Sequence, residues 1–226
     1  MEITLSFDNG PDLEETPKVL DVLDRHGIKA TFFLVCDKLR QPEMRAMAER
    51  TKAAGHRIGN HTLRHKLPLG MNPDIDAVCS EIAEAQDLLG DLAEEEKFFR
   101  PNGKGRAGPH LFSYAAVDYL TDNNFTCVLW SVMPLDGTDP PGWVDRAMRY
   151  CLGKDRATVV VHDRANGGMP YLEDFVHRVK DAGGVFRQDF NPEVMPIVRG
   201  RLVAPLDSIA NPNPRPDFPL PAYPDL

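Results

Sequence analysis

Residues 2–35, EITLSFDNGPDLEETPKVLDVLDRHGIKATFFLV, decide the fold. Residues 2–7 form an apolar, β-prone run that reads as a strand, and residues 16–26 repeat apolar side chains at helical spacing. Thr16 is the expected N-cap, Pro17 sits in the first turn, where its missing N–H costs nothing, and Gly27 is the stop signal. Residues 30–35 then read as a second strand. Two strands joined through a helix predict a parallel pair. The alternation continues outward: strands are expected at 57–59, 98–100, 126–130, 158–162 and 185–187, and helices at 43–54, 75–89, 113–122, 143–152 and 172–182. About seven strand-then-helix units in one domain, residues 1–190, argue for an α/β fold with a parallel sheet, closed or nearly closed into a barrel. Residues 191–226 are rich in proline and lack helical period. They are expected to form an extended tail packed on the domain or at an interface, including one with a second copy of the chain.

The chemistry-bearing residues fall at one place in this scheme. Asp8 and Asn9 end the first strand, His61 and His65 of HTLRH follow the third, Arg100 ends the fourth, Trp130 the fifth and His162 the sixth. In parallel α/β barrels the carboxyl ends of the strands form the active-site face, so residues far apart in sequence are expected to converge. Two histidines four apart, beside an acid and an amide, look like a mononuclear metal site with a carboxylate base.

Composition narrows the partners. The chain of 226 residues has a formal net charge of −8 with its lysines and arginines dispersed, which argues against nucleic acid and anionic membrane as partners and favours a small or neutral substrate. Cys36, Cys79, Cys127 and Cys151 form no CxxC pair and read as ordinary thiols. The opening MEITLSFDNG has no signal-peptide pattern, so a cytoplasmic location is expected.

SFDNGP, HTLRH, FFRPNG, the LWSV stretch and VVVHD, in that order and spacing, resemble the five motifs of the polysaccharide deacetylases, the NodB-homology or fourth carbohydrate-esterase family; GIKATFFL and GHRIGNHT strengthen the match. The resemblance covers roughly residues 2–190. It implies a distorted (β/α) TIM-like barrel and a hydrolase that removes an N-acyl group, typically acetyl, from an amino sugar with one divalent metal. Zinc is the first expectation, then cobalt or nickel. By the same resemblance Asp8 is the catalytic base, Asn9, His61 and His65 are the metal ligands, His162 is the general acid and Arg100 tethers Asp8. An amide resists neutral water, so a metal that polarises the carbonyl or acidifies a water suits this reaction, with a carboxylate beside it to take the proton.

The chain departs from the family pattern in three places. Asn9 stands where most members have a second aspartate, and an FDNG form resembles the muramic-acid-type peptidoglycan deacetylases. A neutral amide removes one negative charge from the ligand set, which leaves a metal-free site as the alternative. FRPNGKG lacks the aromatic and second proline usual after the arginine, although Pro101 is retained as a pocket residue. WSVMPLDG lacks the usual aspartates and tryptophan; Asp136 is the first replacement partner for His162 and Asp139 the second, while Leu129 and Trp130 are expected to line an acyl pocket. Two further functions compete with the deacetylase: a metal-independent amidohydrolase of the allantoinase-like type, suggested by Asn9, and a non-catalytic carbohydrate-binding barrel, suggested by the altered third and fourth motifs.

Overall fold

The computed structural model describes residues 1–222. In chain order its elements are β1 (Glu2–Asp8), α1 (Glu15–Arg25), β2 (Thr31–Leu34), α2 (Pro42–Ala53), β3 (Arg57–Asn60), α3 (Ile75–Leu89), β4 (Phe98–Phe99), β5 (Phe112–Ser113), α4 (Tyr114–Asp122), β6 (Thr126–Cys127), α5 (Trp143–Cys151), β7 (Arg156–His162), α6 (Leu172–Asp181), β8 (Val185–Arg187), β9 (Ile197–Val198), β10 (Arg201–Leu202) and β11 (Ala210–Asn211), with short 3-10 turns between them. The expected alternation is present: helices separate β1, β2, β3, β4, β6, β7 and β8. Among the described residues no helix is long and apolar enough to cross a membrane.

The chain divides into two compact units. The first comprises Met1–Leu34, Lys38–Ile58 and Trp130–Val194. Its centre is β1, with every residue after Glu2 buried. One edge of β1 pairs in parallel with β7 along its whole length, from Glu2↔Arg156 to Asp8↔His162. The other edge is shared: β8 pairs with Glu2–Thr4 and β2 with Ser6–Asp8, both parallel. β7 is bridged on its other edge at Val132↔Val159 and buried from Ala157 to Val161, so it has no solvent side and reads ATVVVH rather than as a polar–apolar alternation. Helices α1, α5 and α6 bury apolar stripes: Val19, Leu20 and Leu23 on α1, Val144, Ala147 and Met148 on α5, and Phe175, Val176 and Val179 on α6. Trp143 and Phe175 pack with ring centroids 5.3 Å apart, and the buried indole N–H donates to the Gly168 carbonyl at 2.8 Å.

The second unit comprises Val35–Asp37, Gly59–Leu129 and the chain from Met195. Here the end of β3 pairs in parallel with β4, and β4 with β6. Helix α3 is capped by Asp74, whose carboxylate accepts from the Ala77 N–H, and ends at Gly90. Helix α4 is capped in the same way by Ser113, which accepts from Ala116. Each cap satisfies an N–H that the helix itself leaves unpaired.

Several local expectations differ from the structure. The strand expected at 126–130 ends at Cys127, so Trp130 lies in the following loop, and the strand expected at 98–100 ends at Phe99, one residue before Arg100. Helix α1 begins one residue earlier, at Glu15, and Thr16 is not its cap. The Thr16 hydroxyl instead donates to Asp163 Oδ2 at 2.6 Å and accepts from the Asp12 N–H at 2.9 Å, a tertiary use that outweighs the local capping preference. The segment from residue 191 contains short strands. β9 pairs antiparallel with β6 at Cys127↔Ile197, β10 pairs with β9, and β11 runs parallel to β5. Burial of Ile197, Ile209 and Ala210 holds the segment on the second unit. Residues 223–226 of the expected tail lie outside the described residues.

Candidate active site

Asp8 and His162 are the last residues of β1 and β7 and are register partners. Directly opposed residues on paired strands point to the same face, so carboxylate and imidazole stand side by side. His162 Nδ1 donates to Asp136 Oδ1 at 2.8 Å, and the His162 backbone N–H donates to Asp136 Oδ2 at 3.0 Å. Asn166 Nδ2 adds a third bond to Asp136, at 2.9 Å, and Asp136 itself is fully buried. A carboxylate on Nδ1 fixes the ring and leaves Nε2 as the exchangeable proton position. Burial alone would lower the His162 pKa, but the charge and hydrogen bond of Asp136, with the charge of Asp8 beyond them, raise it above the ordinary 6.5. Burial likewise opposes ionisation of Asp136, and the His162 charge with the three hydrogen bonds lowers its pKa below 3.8 on balance. Asp139, the second candidate partner, is engaged elsewhere: it bonds Arg146 at 2.6 Å.

The pair has a defined pH behaviour. A histidine with a raised folded pKa adds stability that is complete below 6.5 and fades as the pH climbs through the raised value. A carboxylate with a depressed folded pKa adds stability that is present above 3.8 and fades as the pH falls through the folded value. The Asp136–His162 pair therefore stabilises most between those limits. In Asp136→Asn the charge that holds the imidazolium is gone and burial acts unopposed by it, so the His162 titration is expected to move below its wild-type position. Histidine ring NMR against pH reads this directly, and an unmoved titration would refute it.

The loop after β1 is held by three contacts. Asn9 adopts a left-handed backbone with φ 73°, which asparagine tolerates better than most residues. Lys38 Nζ donates to the carbonyls of Asn9 and Pro11 at 2.7 and 2.9 Å. Gly10 leaves room for Asp163, because a Cβ there would stand 2.4 Å from Asp163 Oδ2. Burial pushes the Asp163 carboxyl up to about 7, against the Thr16 hydrogen bond. Among the described residues the buried Asn9 Oδ1 atom has no hydrogen-bond partner, and such an oxygen is costly unless something coordinates it.

In the second unit, His61 Nδ1 lies 2.8 Å from the Arg100 carbonyl. A carbonyl can only accept, so Nδ1 carries the hydrogen and Nε2 presents its lone pair, the arrangement found in metal-ligating histidines. The His61 and His65 ring centroids are 4.5 Å apart. His65 is left-handed at φ 53°, and Thr62 before it at φ 66°. Arg100 is fully buried, with Nε and Nη2 donating to the Val128 and Leu129 carbonyls at 2.9 and 3.1 Å. Pro101 is buried and Leu129 half-buried; in the first unit, half-buried Trp130 packs on Met133, Leu135 and Val160. An imidazole fixed in the Nε2 lone-pair tautomer is a donor that suits a divalent cation.

Asp8, His162 and Asp136 thus belong together in one unit, and His61, His65 and Arg100 in the other. Sequence reasoning missed Lys38, Thr16, Asn166 and Asp163 as supports. Only Asp163 left a signal, directly following His162. Another cluster, His26 with Glu173 and His177, brings its ligand atoms within 4.8 Å. Its His26 Nδ1 faces Lys180 Nζ at 3.1 Å and its Glu173 bonds Arg25, so cations of the chain already serve it.

Parallel strands β1 and β7 thus end in a carboxylate and a carboxylate-clamped imidazole, an acid–base pair at one end of the first unit. The distorted (β/α) barrel is the fold of a family 4 acetyl xylan esterase from Clostridium thermocellum solved in complex with a cobalt ion, which aligns at a TM-score of 0.68 and 24% identity over 83% of this chain and 88% of that one. The chain belongs to the polysaccharide deacetylase family, whose sequence model matches residues 1–122. Relatives include a peptidoglycan-N-acetylglucosamine deacetylase of Bacillus cereus, 38% identical over 60% of this chain and 46% of the relative, and a chitooligosaccharide deacetylase of Bradyrhizobium, 32% identical over 71% and 70%. The chain therefore spans less than half the length of the first of these and about two thirds of the second.

Proposed function

We propose that this protein hydrolyses the N-acetyl group of an amino sugar, releasing acetate and the free amine. The observation that carries the proposal is the Asp8–His162 pair, opposed in strand register with His162 held by Asp136. Asp8 takes a proton from the attacking water. His162, its pKa raised by Asp136, gives a proton from Nε2 to the amine nitrogen as the C–N bond breaks, because an amine leaves poorly until protonated. Arg100 keeps Asp8 ionised and oriented in this scheme, and Pro101, Leu129 and Trp130 supply the apolar wall for the acetyl methyl. Asn9, His61 and His65 would hold one divalent metal, zinc first among the candidates. When bound, it polarises the acetyl carbonyl or acidifies the attacking water.

The cobalt-bound esterase and the two relatives that act on N-acetylated carbohydrates support this reading. The buried, unpartnered Asn9 oxygen favours it over a metal-independent amidohydrolase. The test is acetate release from chitooligosaccharides and from peptidoglycan fragments, before and after exhaustive chelation. Release that disappears on chelation and returns with zinc or cobalt is the expected result. Undiminished release would establish the metal-independent alternative, and saturable glycan binding without acetate would establish a non-catalytic barrel.

A further inference from the structure

The two histidines of HTLRH sit on a loop with an energetic problem. Thr62 and His65 both adopt left-handed backbones, at φ 66° and 53°, which residues with a Cβ adopt only at an energetic cost. Such a conformation persists only where surrounding contacts determine it. Within the loop, the Thr62 N–H donates to Asn60 Oδ1 at 2.9 Å and the His65 N–H to Thr62 Oγ1 at 3.1 Å. From outside the loop, the Thr62 and Leu63 carbonyls accept from the Cys36 and Asp37 N–H groups at 3.1 and 2.9 Å, and the Leu63 and Arg64 N–H groups donate to the Glu81 carbonyl and Oε2 at 2.8 and 2.9 Å. These fix the first half of the turn; at His65 itself, Asn102 Nδ2 donates to the carbonyl at 3.1 Å.

Asn102 suits this task for a reason visible in its other bond. Its Oδ1 accepts from the Lys104 N–H at 3.1 Å, so the amide can face only one way, with Nδ2 toward the His65 carbonyl. The side chain is 1% exposed, so water does not replace either partner. Two residues earlier the Arg100 carbonyl takes the His61 Nδ1 hydrogen. The segment from Arg100 to Asn102 thus grips both histidines, one through a main-chain oxygen and the other through a side-chain amide.

We propose that Asn102 is a positioning residue for His65, holding the strained turn so that the imidazole stands ready for the metal beside His61. The proposal rests on the reading of these histidines as ligands. Asn102→Asp and Asn102→Ala separate its two bonds. The aspartate keeps an oxygen for Lys104 but replaces the donor with an oxygen that repels the His65 carbonyl, whereas alanine loses both.

Two measurements on the full chain decide it. In metal-free protein, the His65 ring resonances, assigned with a His65→Ala variant, are expected to shift or broaden in both substitutions while those of His162 stay in place. In cobalt titrations followed by visible absorption, both variants are expected to bind about 10–100-fold more weakly, the loss typical of an outer-shell partner. An aspartate variant with unmoved His65 resonances and wild-type cobalt affinity would overturn the proposal and leave Asn102 as a support of the Lys104 turn. If wild-type protein takes up no cobalt, the metal reading fails, and the metal-free spectra still decide whether Asn102 positions His65.

Discussion

Asp8→Ala is expected to lower the turnover of an N-acetylated sugar by about 10³-fold, within the range that a general base contributes, while leaving the fold intact. The carboxylate ends a strand whose hydrogen bonds are main-chain and whose apolar residues Ile3, Leu5 and Phe7 are fully buried, so the core does not depend on it. Asp8→Asn sharpens the test, because it preserves volume and an acceptor oxygen and removes only the basicity. Both variants should give wild-type circular dichroism and unfold cooperatively. Asp8 also helps to raise the His162 pKa, so its removal should lower that titration as well. Turnover within tenfold of wild type in either variant would show that the base lies elsewhere.

The second large effect is expected from the histidines. His61→Ala combined with His65→Ala should abolish metal retention and metal-stimulated acetate release together. An outer-shell partner costs roughly 10–100-fold in affinity, and loss of two ligands exceeds that. In the proposed site Asn9 would contribute a neutral oxygen, so the two imidazoles would carry most of the affinity. The rings are buried or half-buried, and the Arg100 carbonyl would lose its His61 partner, so some destabilisation accompanies the double substitution. Thermal melting of metal-free protein measures that separately. A double variant that keeps its metal would move the site elsewhere, and the His26, Glu173 and His177 cluster would be the first place to look.

How much of this was legible in the sequence depends on the range of the interactions involved. Helix α3 and strand β8 were readable to the residue, because Asp74 and Gly90 punctuate the helix and Gly183 and Gly184 precede the strand. Helix α1 shifted by one residue because Thr16 answers to Asp163, a partner far along the chain. β9, β10 and β11 left no signal, since two residues cannot display a period and their pairing with distant strands is decided by tertiary packing. Asp8 and His162 were legible as strand ends, because long apolar runs fix where β1 and β7 stop; Arg100 and Trp130 were not, since β4 stops at Phe99 and β6 at Cys127, strands too short to show a period. The choice between Asp136 and Asp139 was not. Both lie in one loop, and what separates them is that Arg146 engages Asp139 while His162 and Asn166 converge on Asp136. Lys38 was invisible for a similar reason: a lysine that donates to two carbonyls of another loop looks like any surface lysine in sequence.

The most direct test of the proposed metal-assisted deacetylation is elemental analysis of protein purified without added metal, repeated after soaking in zinc, alongside the His61→Ala, His65→Ala variant and a His26→Ala, His177→Ala control. The expected result is about one equivalent of divalent metal in wild type and control, none in the active-site variant, and acetate release that follows the metal. Wild-type protein that stays metal-free after soaking, yet still releases acetate, would contradict the account and assign the chemistry to Asp8 and His162 alone.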